Sequence, residues 1–212
     1  MQVKNLRCRD LAAGDIILKL ADNSFSIGGA TSFAIQLGQS LVGARNPKIV
    51  HAGIMFDSTF SIEAQGAGVS ANDLRVQNKH YAYYVYRCKN PAMARGAGTC
   101  AKMMLDIHKQ HGSMKYDMLG AIGSLFGFGG GKPATPDQMH ELLDQILSGR
   151  NQGFFCSQFV VYVYQFVAEQ SGRPPASVFK FSDAKATPSV LAVSLARSAA
   201  FTELGCLFPD ER

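Results

Sequence analysis

Short strand-like runs come first in this chain and longer helix-like runs follow, so the sequence predicts an α+β domain. Two observations carry that reading. Between Asp15 and Cys88, β-branched and aromatic runs recur between turn residues. From Pro91 onward, longer apolar segments are bounded by helix-start and helix-stop residues. The 212 residues suit one domain, 1–212, and no internal repeat or long linker divides them.

The expected elements follow in order. Asp15–Leu20 (DIILKL) is a short β-branched strand preceded by Gly14. Thr31–Val42 places Phe33, Leu37 and Leu41 at four-residue spacing, which predicts a helix. Lys48–Phe56 (KIVHAGIMF) is apolar on both faces and reads as a buried central strand. Asp57-Ser58-Thr59 supplies turn chemistry, and Phe60–Gln65 is its hairpin partner. Tyr83–Cys88 is a further strand. Pro91 opens a helix to about His111, and Thr135-Pro136-Asp137 opens another that closes at Ser148-Gly149. Phe154–Gln170 has strand propensity in its middle (FVVYVYQFV), but its length and its close at Ser171-Gly172 favour a buried helix. Leu119–Gly131 (LGAIGSLFGFGGG) is too rich in glycine for a stable helix and reads as either a mobile flap or a buried irregular loop.

Composition narrows the function classes. Apolar residues make up 47% and charged residues 17%, which excludes a disordered chain. The net charge of +5 suits an anionic partner such as cell wall, lipid headgroup or nucleic acid. Basic residues are scattered without interleaved aromatics, so nucleic acid is not expected. The five cysteines lack paired spacing and read as reduced thiols. His108 and His111 share a helix face without an evident third ligand, so they read as a solvated face and no metal is expected. Gly127–Lys132 lacks the spacing of a phosphate loop, and no cofactor is expected. The charged start of the chain carries no signal-peptide core, and no transmembrane segment is predicted, so synthesis in the cytoplasm is expected.

Three residues could carry chemistry. Cys156 falls at the start of a predicted helix, where free N–H groups and a partial positive charge favour a thiolate. The other reading is an inert buried thiol beside Phe154 and Phe155. His51 interrupts an apolar strand and is either a core histidine or a placed base. Glu63 lies inside Ser61-Ile62-Glu63-Ala64, where a carboxylate needs a partner. An odd hairpin loop would put Glu63 on the same face as His51 and nearly opposite it; an even loop would separate them. Asp57 is the rival acid but fits the turn. Together, Cys156 as nucleophile, His51 as general base and acid, and Glu63 as its orienting group make a nucleophilic triad.

The order Gly14-Asp15-Ile16-Ile17, His51-Ala52-Gly53-Ile54, Ile62-Glu63-Ala64, then Tyr116-Asp117, Phe155-Cys156-Ser157-Gln158 and Thr187-Pro188-Ser189 resembles one family. It is the circularly permuted branch of the NlpC-type papain-like cysteine hydrolases, which includes YiiX-like proteins and lecithin retinol acyltransferase. The resemblance covers roughly residues 14–195. It implies a small antiparallel sheet packed on helices, with the nucleophile at a helix N-terminus. It also implies the triad Cys156, His51 and Glu63, and a substrate-lining role for Tyr116. The stretch Leu119–Gly153 is long for the family.

The expected function is a cysteine hydrolase that cuts an amide bond in peptidoglycan stem peptides. Delivery by a signal-independent route, as an antibacterial type VI effector paired with an immunity protein, is the matching expectation for partners and location. Two alternatives stand beside it: acyl transfer or lipid/thioester hydrolysis on acyl chains, and a non-catalytic binding module.

Overall fold

The computed structural model describes residues 4–20, 49–65, 68–111, 155–181 and 186–209. The helices expected over Thr31–Val42 and from Thr135 to Gly149, and the glycine-rich stretch Leu119–Gly131, lie outside the described residues.

Among the described residues the chain is α+β, with a seven-stranded sheet and three helices. The strands are β1 (Asn5–Leu6), β2 (Ile16–Leu20), β3 (Ile49–Met55), β4 (Phe60–Gln65), β5 (Gly68–Asp73), β6 (Tyr83–Cys88) and β7 (Phe201–Leu207). The helices are α1 (Pro91–His111), α2 (Phe155–Gln170) and α3 (Pro188–Arg197). The sheet order is β1-β7-β6-β2-β3-β4-β5. Only β1 and β7 pair in parallel; the other neighbours are antiparallel.

The expected small antiparallel sheet is therefore corrected to a larger, mixed one. Two of the additional strands lack the usual signal for physical reasons. β5 (GVSAND) is mostly small and polar, and it gives the core only Val69, with Ala71 packed against it. β1 is only two residues long. β7 follows α3 directly and pairs back onto β6, so the division into a strand half and a helix half also fails at the C-terminal end.

The local reasons for the helices are legible. Asn90 caps α1, its side-chain oxygen accepting the N–H groups of Ala92 and Met93 at 3.1 Å each. Thr187 does the same for α3 through the N–H of Val190 at 3.1 Å. α2 is helical despite its β-branched middle, since burial nearly all round outweighs local propensity. Its Phe159, Val160, Val163 and Val167 join the main core with Ile16, Leu18, Ile54 and Tyr84 of the sheet. A second, smaller cluster around Ile17, Met55, Tyr83 and Val85 fills the other face.

His108 is not on a solvated face, as the sequence suggested. Its ring covers Gly68 of β5 so closely that a Cβ there would lie 2.3 Å from the ring. The side chain of His111 lies outside the described residues.

The Gly14-Asp15 pair ties sheet and helices together. Gly14 has φ +86°, and a Cβ on it would sit 1.9 Å from the carbonyl oxygen of Ala94 in α1. Its N–H donates to Met55 at 2.7 Å, and its carbonyl accepts from the Tyr164 hydroxyl of α2. Asp15 is fully buried, and Arg87 of β6 grips it with two parallel bonds of 2.7 and 2.6 Å. Arg87 also reaches the carbonyl of Asp10 at 2.8 Å. Replacing Arg87 by methionine strands a buried carboxylate. Urea unfolding of Arg87→Met should show a loss of roughly 3 kcal/mol against wild type.

Candidate active site

β3 and β4 form a hairpin in which Ile54 faces Ile62 and Met55 faces Ser61. The Phe56 N–H then donates to the Phe60 carbonyl at 2.9 Å, so the loop is Asp57-Ser58-Thr59. Three is odd, and His51 and Glu63 consequently share a face. Asp57 holds the turn, accepting from the N–H groups of Thr59 at 2.7 Å and Phe60 at 2.8 Å. The rival carboxylate is thus committed to the loop.

Extending the register puts Glu63 opposite Gly53, diagonal to His51 rather than directly across. Gly53 makes the diagonal contact possible. A Cβ at this position would stand 2.8 Å from Cγ of Glu63 and 3.3 Å from the Ile62 carbonyl oxygen. His51 itself sits beside an irregularity, where Lys19 faces His51 but Leu20 faces Ile49, leaving Val50 as an extra residue on β3.

His51 and Glu63 meet through Nε2 and Oε2 at 2.9 Å. Glu63 is only 3% exposed, yet its carboxylate is well partnered. The Ser61 hydroxyl donates to Oε1 at 2.5 Å, and the Asn72 amide of β5 donates to Oε2 at 2.9 Å. Burial pushes the Glu63 carboxyl up, but the hydrogen bond and charge of His51, the Ser61 hydroxyl and the charge of Lys19 together hold it below its ordinary range. An ionised carboxylate only accepts, so Nε2 carries the proton in this pair.

Cys156 stands near enough to His51 to act on the charge of its ring. With Nε2 engaged by Glu63, Nδ1 is the nitrogen left for the sulfur. Cys156 is the second residue of α2, in the turn whose N–H groups have no partner within the helix itself. α2 packs against β3 and β4, so the strands bearing His51 and Glu63 directly support the helix bearing Cys156. The next residue anchors the helix start: the Ser157 hydroxyl donates to the Ala186 carbonyl at 2.5 Å.

Burial lowers the His51 pKa, but its hydrogen bonds to Cys156 and Glu63 and the negative charge on both outweigh this, raising it from 6.5 to about 9. Burial pushes Cys8 and Cys88 up, and Cys100 and Cys206 up to about 12. All five cysteines are free.

The three sequence-predicted residues therefore come together, while Tyr116 lies outside the described residues. Sequence reasoning missed Ser61 and Asn72. Ser61 was accessible in principle, standing two residues before Glu63 on the same strand face. Asn72 was not, since β5 has no strand pattern to place it.

Compared with known protein families, with curated proteins and with solved structures, the chain finds no match in any of the three.

The ring should titrate unusually high. Following the His51 imidazole by NMR should give a midpoint near 9, and Glu63→Gln should move it downward. A raised histidine pKa adds stability that is complete below about 6.5 and lost as pH rises through about 9. The lowered Glu63 acts in the opposite sense: its share is present above the ordinary 4.5 and lost as pH falls through the lowered value. Thermal melts of Glu63→Gln and wild type should therefore differ most between these limits, and the difference should narrow as pH rises through about 9.

Proposed function

We propose that this protein is a cysteine hydrolase of permuted papain-like type, acting through Cys156, His51 and Glu63. One observation carries the reading: a single imidazole is held by a buried, fully partnered carboxylate and stands close to a thiol at the start of a buried helix. A core histidine needs one partner, not an acid on one nitrogen and a thiol nearby as well. The chain order His51, Glu63, Cys156 and the packing of α2 on β3 and β4 support the permuted arrangement.

In this mechanism the sulfur attacks a carbonyl carbon and a C–S bond forms. The N–H groups of the first turn of α2 face the developing oxyanion. The C–N bond then breaks, and the imidazolium of His51 gives its proton to the leaving amine. Water next attacks the thioester, His51 accepts its proton, and the carboxylate product leaves as the sulfur is released. Glu63 keeps the ring in one tautomer and balances its charge throughout.

The substrate we favour is an amide bond in a peptidoglycan stem peptide. The family resemblance supports it, and the net charge of +5 suits an anionic wall. Pure protein incubated with wall sacculi should release peptide fragments detectable by mass spectrometry. Cys156→Ala should release none, and His51→Ala should slow release by about 10²–10⁴-fold. Intact sacculi beside fatty acid released from phospholipid vesicles would replace the amide reading with acyl-ester chemistry.

A further inference from the structure

A groove runs along α3. This helix buries Leu191, Ala192 and Leu195 in the core. Its remaining rows, Ser189-Val193-Arg197 and Val190-Ser194-Ser198, line a cavity of about 670 Å³. The other wall is made by Ala176, Ser177, Val178 and Lys180. Spacing of four along a helix makes this an elongated groove, about 12 Å from Ser189 to Arg197. Neither His51, Glu63 nor Cys156 lines it.

The lining has a consistent chemistry. Val178, Val190 and Val193 make an apolar surface, and Val190 is among the few large apolar side chains that stay exposed, at 40%. Serine hydroxyls border it on both walls. Lys180 and Arg197 supply two positive charges, and among the described residues neither has an ion pair. No acidic residue lines the cavity among the described residues. A concave, mostly apolar surface of this volume with a few polar groups is the usual form of a small-ligand site. Two cations in a groove, without an ion pair among the described residues, concentrate anions there.

We propose that this groove binds a small anionic amphiphile, an oxyanion head on a short apolar stem. The head lies between Lys180 and Arg197, and the stem runs along Val190 and Val193. The shared requirement is the oxyanion; carboxylate and phosphate heads are the two sources.

Calorimetric titration of the full chain with hexanoate, hexyl phosphate, inorganic phosphate and hexanol tests the proposal. One of the two amphiphiles should bind at least about tenfold more tightly than either inorganic phosphate or hexanol. Which of them does so identifies the head group. Arg197→Gln and Val193→Phe, each confirmed to be folded by thermal melt, should each weaken that binding about tenfold. Cys156→Ser should leave it unchanged, separating this site from the proposed hydrolase. The proposal is overturned if no saturable binding occurs at millimolar ligand, if inorganic phosphate alone binds as tightly, or if the Arg197 and Val193 variants bind like wild type.

Discussion

A carboxylate buried in a sheet must be matched by donors, and the arrangement of this molecule's site follows from that constraint. Glu63 projects from β4 into a space that is almost closed to water. Ser61, Asn72 and His51 each supply a donor, from β4, β5 and β3 respectively. Asn72 of β5, the odd loop of the β3–β4 hairpin and the missing side chain at Gly53 all answer to the same carboxylate. Once Glu63 is ionised and held, the His51 ring is fixed in one orientation, with Nδ1 free to face a thiol.

The helix that brings this thiol is positioned just as firmly, by a different set of contacts. α2 is buried nearly all round, so it cannot slide without disturbing the core. The Tyr164 hydroxyl bonds the Gly14 carbonyl, and Ser157 bonds the Ala186 carbonyl. Gly14 adjoins Asp15, which Arg87 grips. Both the strand side and the helix side of the site therefore rest on buried polar contacts that are satisfied in pairs. Such contacts fix geometry more than they add stability, which suits a site in which a ring must stand between two groups.

Much of this was legible in the sequence, because its signals are local. β2, β3, β4 and β6, together with α1 and α2, carry their own periodicity, turns or caps. The Cys156–His51–Glu63 set was legible because each residue is chemically out of place in an apolar run. β5 and β1 were not legible. Their existence is a matter of pairing partners, which a single strand of polar or short sequence does not announce. Asn72 shared that fate. His108 was misread because a helix-face pattern cannot show that a glycine on a distant strand leaves room for its ring.

If His51 activates Cys156 as proposed, the thiol reacts far faster than an ordinary one. Native protein and His51→Ala would be alkylated with iodoacetamide at about pH 6, where an ordinary thiol of pKa about 8.5 is almost wholly protonated and slow to react. Mass spectrometry would then map the labelled cysteine. The account predicts fast labelling at Cys156 alone, lost in His51→Ala. Labelling of Cys156 no faster than that of Cys8, Cys88, Cys100 or Cys206, and indifferent to His51, would contradict it.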